Sequence, residues 1–205
     1  MTRPYDRIKR AMDLAISGTA LLVASPLLAA AAVAIRRGSA GPILFRQERV
    51  GLDGRPFSIF KFRTMVDGAQ GMGSGILVSK NDSRITPEGA FMRRWSIDEL
   101  PQLLNVVRGD MSIVGPRPTL AYQVEQYTPE QRRRLEVRPG ITGWAQVNGR
   151  NAIPWAERIA LDVWYVDHRS LAVDLRVLAK TALLLVRPSE EEVYNEAQAD
   201  WGEPT

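Results

Sequence analysis

From Leu14 to Ile35 the chain runs twenty-two residues without a charge. As a helix that run rises about 33 Å, enough to cross the hydrocarbon core of a bilayer. Ser25-Pro26 falls near its middle. Pro26 has no N–H for the Leu22 carbonyl and its ring crowds that oxygen, so the helix must bend. The Ser25 hydroxyl can satisfy a freed carbonyl of the preceding turn, which makes a break tolerable in lipid. Arg7, Lys9 and Arg10 precede the run and Arg36 and Arg37 follow it. Positive charge at both ends gives the positive-inside rule no asymmetry and keeps both ends on the cytoplasmic side. The pattern predicts a re-entrant membrane helix-break-helix over residues 1–38, entering and leaving one leaflet. A kinked full span and a buried hairpin in a soluble core are its alternatives.

Beyond that segment the period changes. Gly41 to Gly51 and Pro56 to Met65 alternate apolar and polar positions around a Leu52-Asp53-Gly54-Arg55 turn, which predicts a β-hairpin. Ile59, Lys61 and Arg63 then share one face and Phe60 and Phe62 the other. Gly68–Gly75 reads as a loop. Thr86 as N-cap with Pro87 at the first helical position starts a helix toward Trp95. Leu103, Leu104, Val106 and Val107 form one helical face ended by Gly109, and Met111 to Val114 is a short apolar strand. Pro129–Arg138 predicts a charged helix, with Arg132-Arg133-Arg134 solvated or against anionic headgroups. Residues 139–150 read as loop and turn around an exposed Trp144. Trp155–Val166 and Leu171–Val186 are helical, the latter in the core or lying in the membrane interface. The class expected is α+β, mostly helical, with a small β-hairpin and amphipathic interfacial helices. Residues 39–188 form the catalytic domain, and 189–205, with Glu190-Glu191-Glu192, an acidic, weakly ordered tail.

Composition narrows the chemistry. The 205 residues carry a formal net charge of +4 and no cysteine, which removes disulfides and thiolate catalysis. The single histidine, His168, lies in a polar run and rules out a His-rich metal site. Lysine occurs only at positions 9, 61, 80 and 180; the remaining cations are arginines, whose planar donors suit phosphate and anionic lipid. So modest a net charge does not argue for nucleic acid.

The densest chemistry is Arg93-Arg94-Trp95-Ser96-Ile97-Asp98-Glu99-Leu100-Pro101-Gln102, followed by Gly115-Pro116-Arg117-Pro118. Two adjacent carboxylates among arginines suit a phosphate-bearing substrate and a divalent metal: one can attack phosphorus, its neighbour can hold Mg²⁺, and arginines can neutralise phosphate oxygens. A second reading uses the same residues for local structure. Ser96 and Glu99 fit a capping box, or Asp98 is an N-cap with Pro101 in the first turn. The two are compatible, because a helix N-terminus depresses a carboxylate's pKa and attracts phosphate. Prolines on both sides of Arg117 suit a rigid anion clamp.

These motifs resemble the bacterial sugar transferases, the monotopic polyprenyl-phosphate phosphoglycosyl transferases, in their short catalytic-core form. The markers are the Ser25-Pro26 break, Lys61-Phe62-Arg63-Thr64-Met65, Ser96 to Leu103, Gly109-Asp110-Met111-Ser112, Val114 to Pro118 and Arg138 to Arg150. The resemblance runs from about Lys9 to Pro188. It implies that Asp98 attacks the β-phosphate of a UDP-sugar, releasing UMP and leaving a phosphosugar on the aspartate, which undecaprenyl phosphate then takes. It also implies a Mg²⁺ cofactor on Glu99, and substrate-binding roles for Lys61, Arg93, Arg117 and Asp162; Arg63, which projects with Lys61 from the strand, and Trp144, in a loop rich in special backbone conformations, are further substrate-binding candidates. The expected partners are the UDP-sugar, undecaprenyl phosphate, membrane lipid and downstream glycosyltransferases of glycan assembly, with no nucleic acid. The expected location is the bacterial inner membrane, catalytic domain on the cytoplasmic face. Arg150 to Trp155 resembles members that use N-acetylated or deoxy-amino sugars. The rival readings are a membrane-anchored module binding anionic lipid or polyanion, which leaves Asp98-Glu99 among the arginines unexplained, and a membrane pyrophosphatase.

Overall fold

A computed structural model describes residues 4–72, 82–149 and 153–186. The uncharged run lies within a single helix, α1 (Pro4–Gly38), 35 residues long with Pro26 inside it. The expected separation into two helices at Ser25-Pro26 is not present, because the local accounting closes without one. Ser25 Oγ donates to the Leu22 carbonyl at 2.8 Å, the oxygen that Pro26 leaves without an N–H. Only 11% of the helix's most apolar window is buried, which removes the alternative of a hairpin inside a soluble core. Among the described residues it is the one helix long and apolar enough to cross a membrane.

A single stripe of α1 carries its contacts. Asp13, Ser17, Ala31 and Ile35 are buried, with Leu21 and Leu28 half-buried between them, so the spacing follows the helical repeat. Leu22 and Val23, off that stripe, are 76% and 74% exposed. Both ends are tied to the same body. Near the start, Tyr5 and Lys9 each donate to Asp174 Oδ2 at 2.7 Å, and Asp13 accepts the Ile113 N–H at 3.0 Å. Near the end, Ile35 packs with Phe62, Met92 and Ile97, and Arg63 donates to the carbonyls of Ser39 and Ala40 just past the helix.

The hairpin forms as expected: β1 (Leu44–Val50) pairs antiparallel with β2 (Pro56–Phe62), from Leu44 opposite Phe62 to Val50 opposite Pro56. Asp53 and Gly54 take the positive φ angles, 56° and 78°, that so short a reversal needs. The chain continues through α2 (Pro87–Arg94), α3 (Gln102–Arg108) and β3 (Ser112–Val114). Next come α4 (Ala121–Glu125) and α5 (Pro129–Arg132). Behind α5 a 3₁₀ turn spans Arg133–Glu136 and buries Arg134. That corrects the expected charged helix with a solvated or lipid-facing arginine triplet: Arg134 is a core residue, for reasons that emerge at the site.

Residues 139–150 were expected to be loop throughout. They contain β4 (Gly140–Thr142), parallel to β3, and α6 (Trp144–Val147). A three-residue strand shows no alternation, and what makes it is a close backbone approach. A Cβ on Gly140 would stand 2.1 Å from the Gly115 nitrogen, so the Gly115-Pro116 turn and Pro139-Gly140 can pass only with glycine there. The helices α7 (Trp155–His168) and α8 (Leu171–Val186) follow as predicted. Ile59, Leu103, Val106, Met111, Tyr165 and Val177 make the central core, joining the hairpin, α3, α7 and α8. Leu104 and Val107 on α3, Phe91 and Trp95 around α2, and Leu175 and Leu183 on α8 stay exposed. With α1 they give the molecule an apolar exterior that suggests association with a membrane. The acidic tail and residues 150–152 lie outside the described residues.

Candidate active site

The acidic pair sits on a short turn locked from both sides. Thr86 caps α2 as predicted, accepting the Gly89 N–H at 3.1 Å. Gly89 must be glycine, since a Cβ there would lie 2.1 Å from the Thr64 carbonyl. This contact lays α2 against the exit of β2, and Arg93 Nε donates to Thr64 Oγ1 at 2.8 Å. After α2, Ser96 turns left-handed at φ 54° and Ile97–Glu99 form one 3₁₀ turn, with Ile97 buried. Neither capping register is realised: Ser96 makes no side-chain cap, and α3 starts at Gln102 with Pro101 in the cap position. Glu99 is committed to the tertiary structure instead.

Glu99 Oε1 accepts from Lys61 Nζ at 2.8 Å and from Arg117 Nη2 at 2.6 Å. Lys61 comes from β2, and Arg117 from the proline-flanked turn after β3, so three segments meet on one carboxylate. Arg117 is braced from behind: its carbonyl accepts Arg134 Nη2 at 2.9 Å. Arg134 is in turn held by Asp162 Oδ2 at 2.5 Å and donates to the Tyr127 hydroxyl at 2.6 Å. Arg134 and Asp162 are sealed, each side chain 2% exposed, whereas Glu99 keeps 20%. These surroundings push the two neighbours apart. Burial raises the Asp98 carboxyl above the usual range, against the pull of Lys61 and Arg93. For Glu99 burial acts in the same sense, but Arg117 and Lys61 overcome it and hold the carboxyl well below its ordinary value. Asp98 lies in the 3₁₀ turn ahead of α3 rather than at that helix's N-terminus, and Lys61 and Arg117 pair with Glu99. Adjacent carboxyls separated in this way can take different chemical roles.

Both open onto a cavity of about 920 Å³, large enough for a nucleotide-sized ligand. Lys61, Arg63, Arg93, Asp98, Glu99, Arg117 and Asp162 all line it. Two of them also carry structure: Arg63 clamps the end of α1, and Asp162 positions Arg134 beneath Arg117. Trp144 is not among the lining residues. It stacks on Trp164, centroids 4.5 Å apart, with Lys180 Nζ 5.4 Å from its ring centre; its neighbours Thr142, Ala145 and Gln146 face the cavity instead. His168 is exposed as expected, stacked on Trp164.

Sequence reasoning missed Gln47, Arg49, Gln146 and Arg158, which line the same cavity. The signals were present. In the hairpin register Phe45 stands opposite Lys61, so Gln47 and Arg49 share the Lys61 face. Arg158 lies one helical turn before Asp162.

No group of three or more potential metal-ligating side chains exists among the described residues. Mg²⁺ needs no such cluster, since one or two carboxylates can hold it with substrate phosphates completing its shell. Glu99, ionised and cavity-facing, with Asp98 beside it, fits such an ion.

A half-buried carboxyl pair, the cations around it and a helix long enough to cross a membrane fit an enzyme that handles phosphate-bearing groups beside a membrane. The chain belongs to the bacterial sugar transferases, whose family model matches residues 4–188. It is 47% identical over 174 residues to the uncharacterized sugar transferase EpsL of Bacillus subtilis, covering 85% of each chain. It is 39% identical to the undecaprenyl-phosphate galactose phosphotransferase of Salmonella typhimurium, covering 88% of this chain and 40% of the relative. It is also 44% identical to the UDP-glucose:undecaprenyl-phosphate glucose-1-phosphate transferase of Caulobacter vibrioides, covering 86% and 68%.

Proposed function

We propose that this protein transfers a sugar 1-phosphate from a UDP-sugar to undecaprenyl phosphate, through an intermediate covalently bound to Asp98. The observation that carries the proposal is the division of labour at residues 98 and 99. Glu99 holds Lys61 and Arg117 in ion pairs, and Asp98, half-buried beside it, faces the same cavity. In the first step an Asp98 oxygen attacks the β-phosphorus, the bridging Pα–O–Pβ bond breaks on the β side, and UMP leaves with the bridging oxygen. In the second, a phosphate oxygen of undecaprenyl phosphate attacks the same phosphorus and the Asp98 O–P bond breaks, giving undecaprenyl-diphospho-sugar and free Asp98. No net proton is consumed. Mg²⁺, bound on Glu99, would supply charge neutralisation for the diphosphate. Lys61, Arg93 and Arg117 hold the phosphoryl oxygens, and the brace through Arg134 and Asp162 keeps Arg117 in place.

The relatives named for glucose and galactose transfer support the reaction class. The donor itself is read by assay: UMP release from detergent-solubilised protein with Mg²⁺ and undecaprenyl phosphate, across a panel of UDP-sugars. Release from one or two donors, abolished in Asp98→Asn, is the expected result. Release in that variant at the wild-type rate would remove Asp98 as nucleophile. The product would start glycan assembly and pass to downstream glycosyltransferases.

For topology we favour re-entry of α1 from the cytoplasmic face of the inner membrane, through a bend at Pro26 within the one helix rather than a break between two. Its support is that Lys9 and Arg63 tie the two ends of the helix to one globular body. The chain lacks cysteine, so Arg7→Cys and Arg37→Cys each provide a single label. Both should resist a membrane-impermeant thiol reagent in intact spheroplasts and react in inverted vesicles. Labelling of either from outside would sink re-entry.

A further inference from the structure

The two-step reading assigns chemistry to Asp98 but leaves a cationic wall of the same cavity unused. Arg49 on β1 and Arg158 on α7 both line it, and the Nε of each is buried without a hydrogen-bond partner among the described residues. Arg158 is 8% exposed, with its guanidinium 5.4 Å from the Trp155 ring centre and Nη2 reaching the Ile153 carbonyl at 3.3 Å. Arg49 Nη2 donates to Gln47 Oε1 at 2.5 Å. Neither has an ion pair among the described residues, whereas Arg117 and Lys61 share Glu99 and Arg134 has Asp162. Burial, reinforced by the positive charge of Arg117, weakens the protonated form of both guanidiniums, while Glu99 near Arg49 and Asp162 near Arg158 act in the opposite sense without reversing it. A desolvated guanidinium without an ion-pair partner is stabilised when an anion joins it.

The proposed reaction says which anion. In each half, phosphorus lies between Asp98 and one other oxygen in line with it. In the first half that oxygen belongs to departing UMP, and in the second to incoming polyprenyl phosphate. Both groups are phosphomonoesters in the same position relative to Asp98. The cavity suits the lipid form as well as the nucleotide, because Leu27 of α1 and Leu184 and Leu185 of α8 also line it.

We propose that Arg49 and Arg158, together with Arg117, form a single phosphomonoester site used twice per turnover, vacated by UMP and then occupied by polyprenyl phosphate. This rests on the two-step reading above.

The test uses the full chain in nanodiscs with Mg²⁺. Labelled UMP is bound at equilibrium and challenged with undecaprenyl phosphate, then the measurement is repeated in Arg49→Gln and Arg158→Gln, with Arg49→Lys and Arg158→Lys as charge-retaining partners and thermal melting as the fold control. Undecaprenyl phosphate should displace UMP competitively. Each glutamine variant should weaken both ligands about tenfold or more, as the loss of a charge-assisted contact does, and lysine should recover part of that. Simultaneous binding of UMP and undecaprenyl phosphate overturns the shared site on wild-type protein alone. So does wild-type affinity in both folded glutamine variants. Exchange of labelled UMP into the donor sugar nucleotide without acceptor reports separately on the two-step reading. Exchange combined with simultaneous binding leaves that reading standing and removes the shared site, and no exchange removes both.

Discussion

Two carboxylate–arginine pairs, at Glu99 and at Asp162, lie in the same cavity wall and serve opposite ends. Glu99 collects Lys61 and Arg117 from distant segments and keeps a fifth of its side chain accessible. Asp162 holds Arg134, and both are sealed. Exposure decides what each pair can do. An accessible carboxylate can exchange its cation partners for a metal or let them move onto phosphate. A sealed one cannot exchange anything, because either charge left alone would stay buried. The sealed pair therefore carries geometry, which Arg134 passes to Arg117 through that residue's carbonyl.

The largest effect that sharpens this contrast belongs to Asp98, which neither pair consumes. Asp98→Asn should lower single-turnover UMP release by about a thousandfold or more while leaving the melting temperature unchanged. Chelation should act almost as strongly. EDTA should abolish turnover and added Mg²⁺ restore it, without the loss of fold expected for a structural metal; turnover that survives EDTA would remove the metal from Glu99.

The sealed pair should respond in stability. Asp162→Ala should cost about 3–5 kcal/mol in denaturant unfolding, because Arg134 is left buried and alone. Asp162→Asn should cost less, and its pH dependence is diagnostic. Burial raises Asp162 from its ordinary 3.8 to about 6, so the folded state holds this proton more tightly than the unfolded chain. Stability from this group is present below pH 4 and declines as pH rises toward 6. The wild type should therefore lose stability relative to Asp162→Asn across that window; parallel curves would contradict a raised Asp162. The smallest effect is expected at Lys61→Met. Removing one of two cations from an accessible carboxylate should cost under about 1 kcal/mol of stability yet slow turnover by tenfold or more. Stability loss on the scale of Asp162→Ala would erase the distinction between the pairs.

The contrast also shows where sequence reading succeeded. Thr86-Pro87, the Asp53-Gly54 reversal and the uncharged run each act within a few residues, so their physics is complete in the local sequence. Ser96-x-x-Glu99 failed for the opposite reason. The motif offered a local partner, and Lys61 and Arg117, far along the chain, offered a stronger one. Arg134 reads as a surface charge because its three partners lie 7, 17 and 28 residues away along the chain. Trp144 reads as exposed in its glycine-rich loop, and the structure half-buries it because its stacking partner, Trp164, comes from another helix.

By itself the sequence determined the helix content, the hairpin, the membrane-length segment and the acidic pair among cations, since periodicity, turn chemistry and composition are properties of neighbours. Only the tertiary structure decided which carboxylate keeps the cations and which arginines are braced, buried or left facing the cavity. It also decided that α1 runs helical through Pro26 and is held at both ends by one body. Those outcomes depend on distances between segments far apart in the chain, and on the burial that sets the strength of every charge among them.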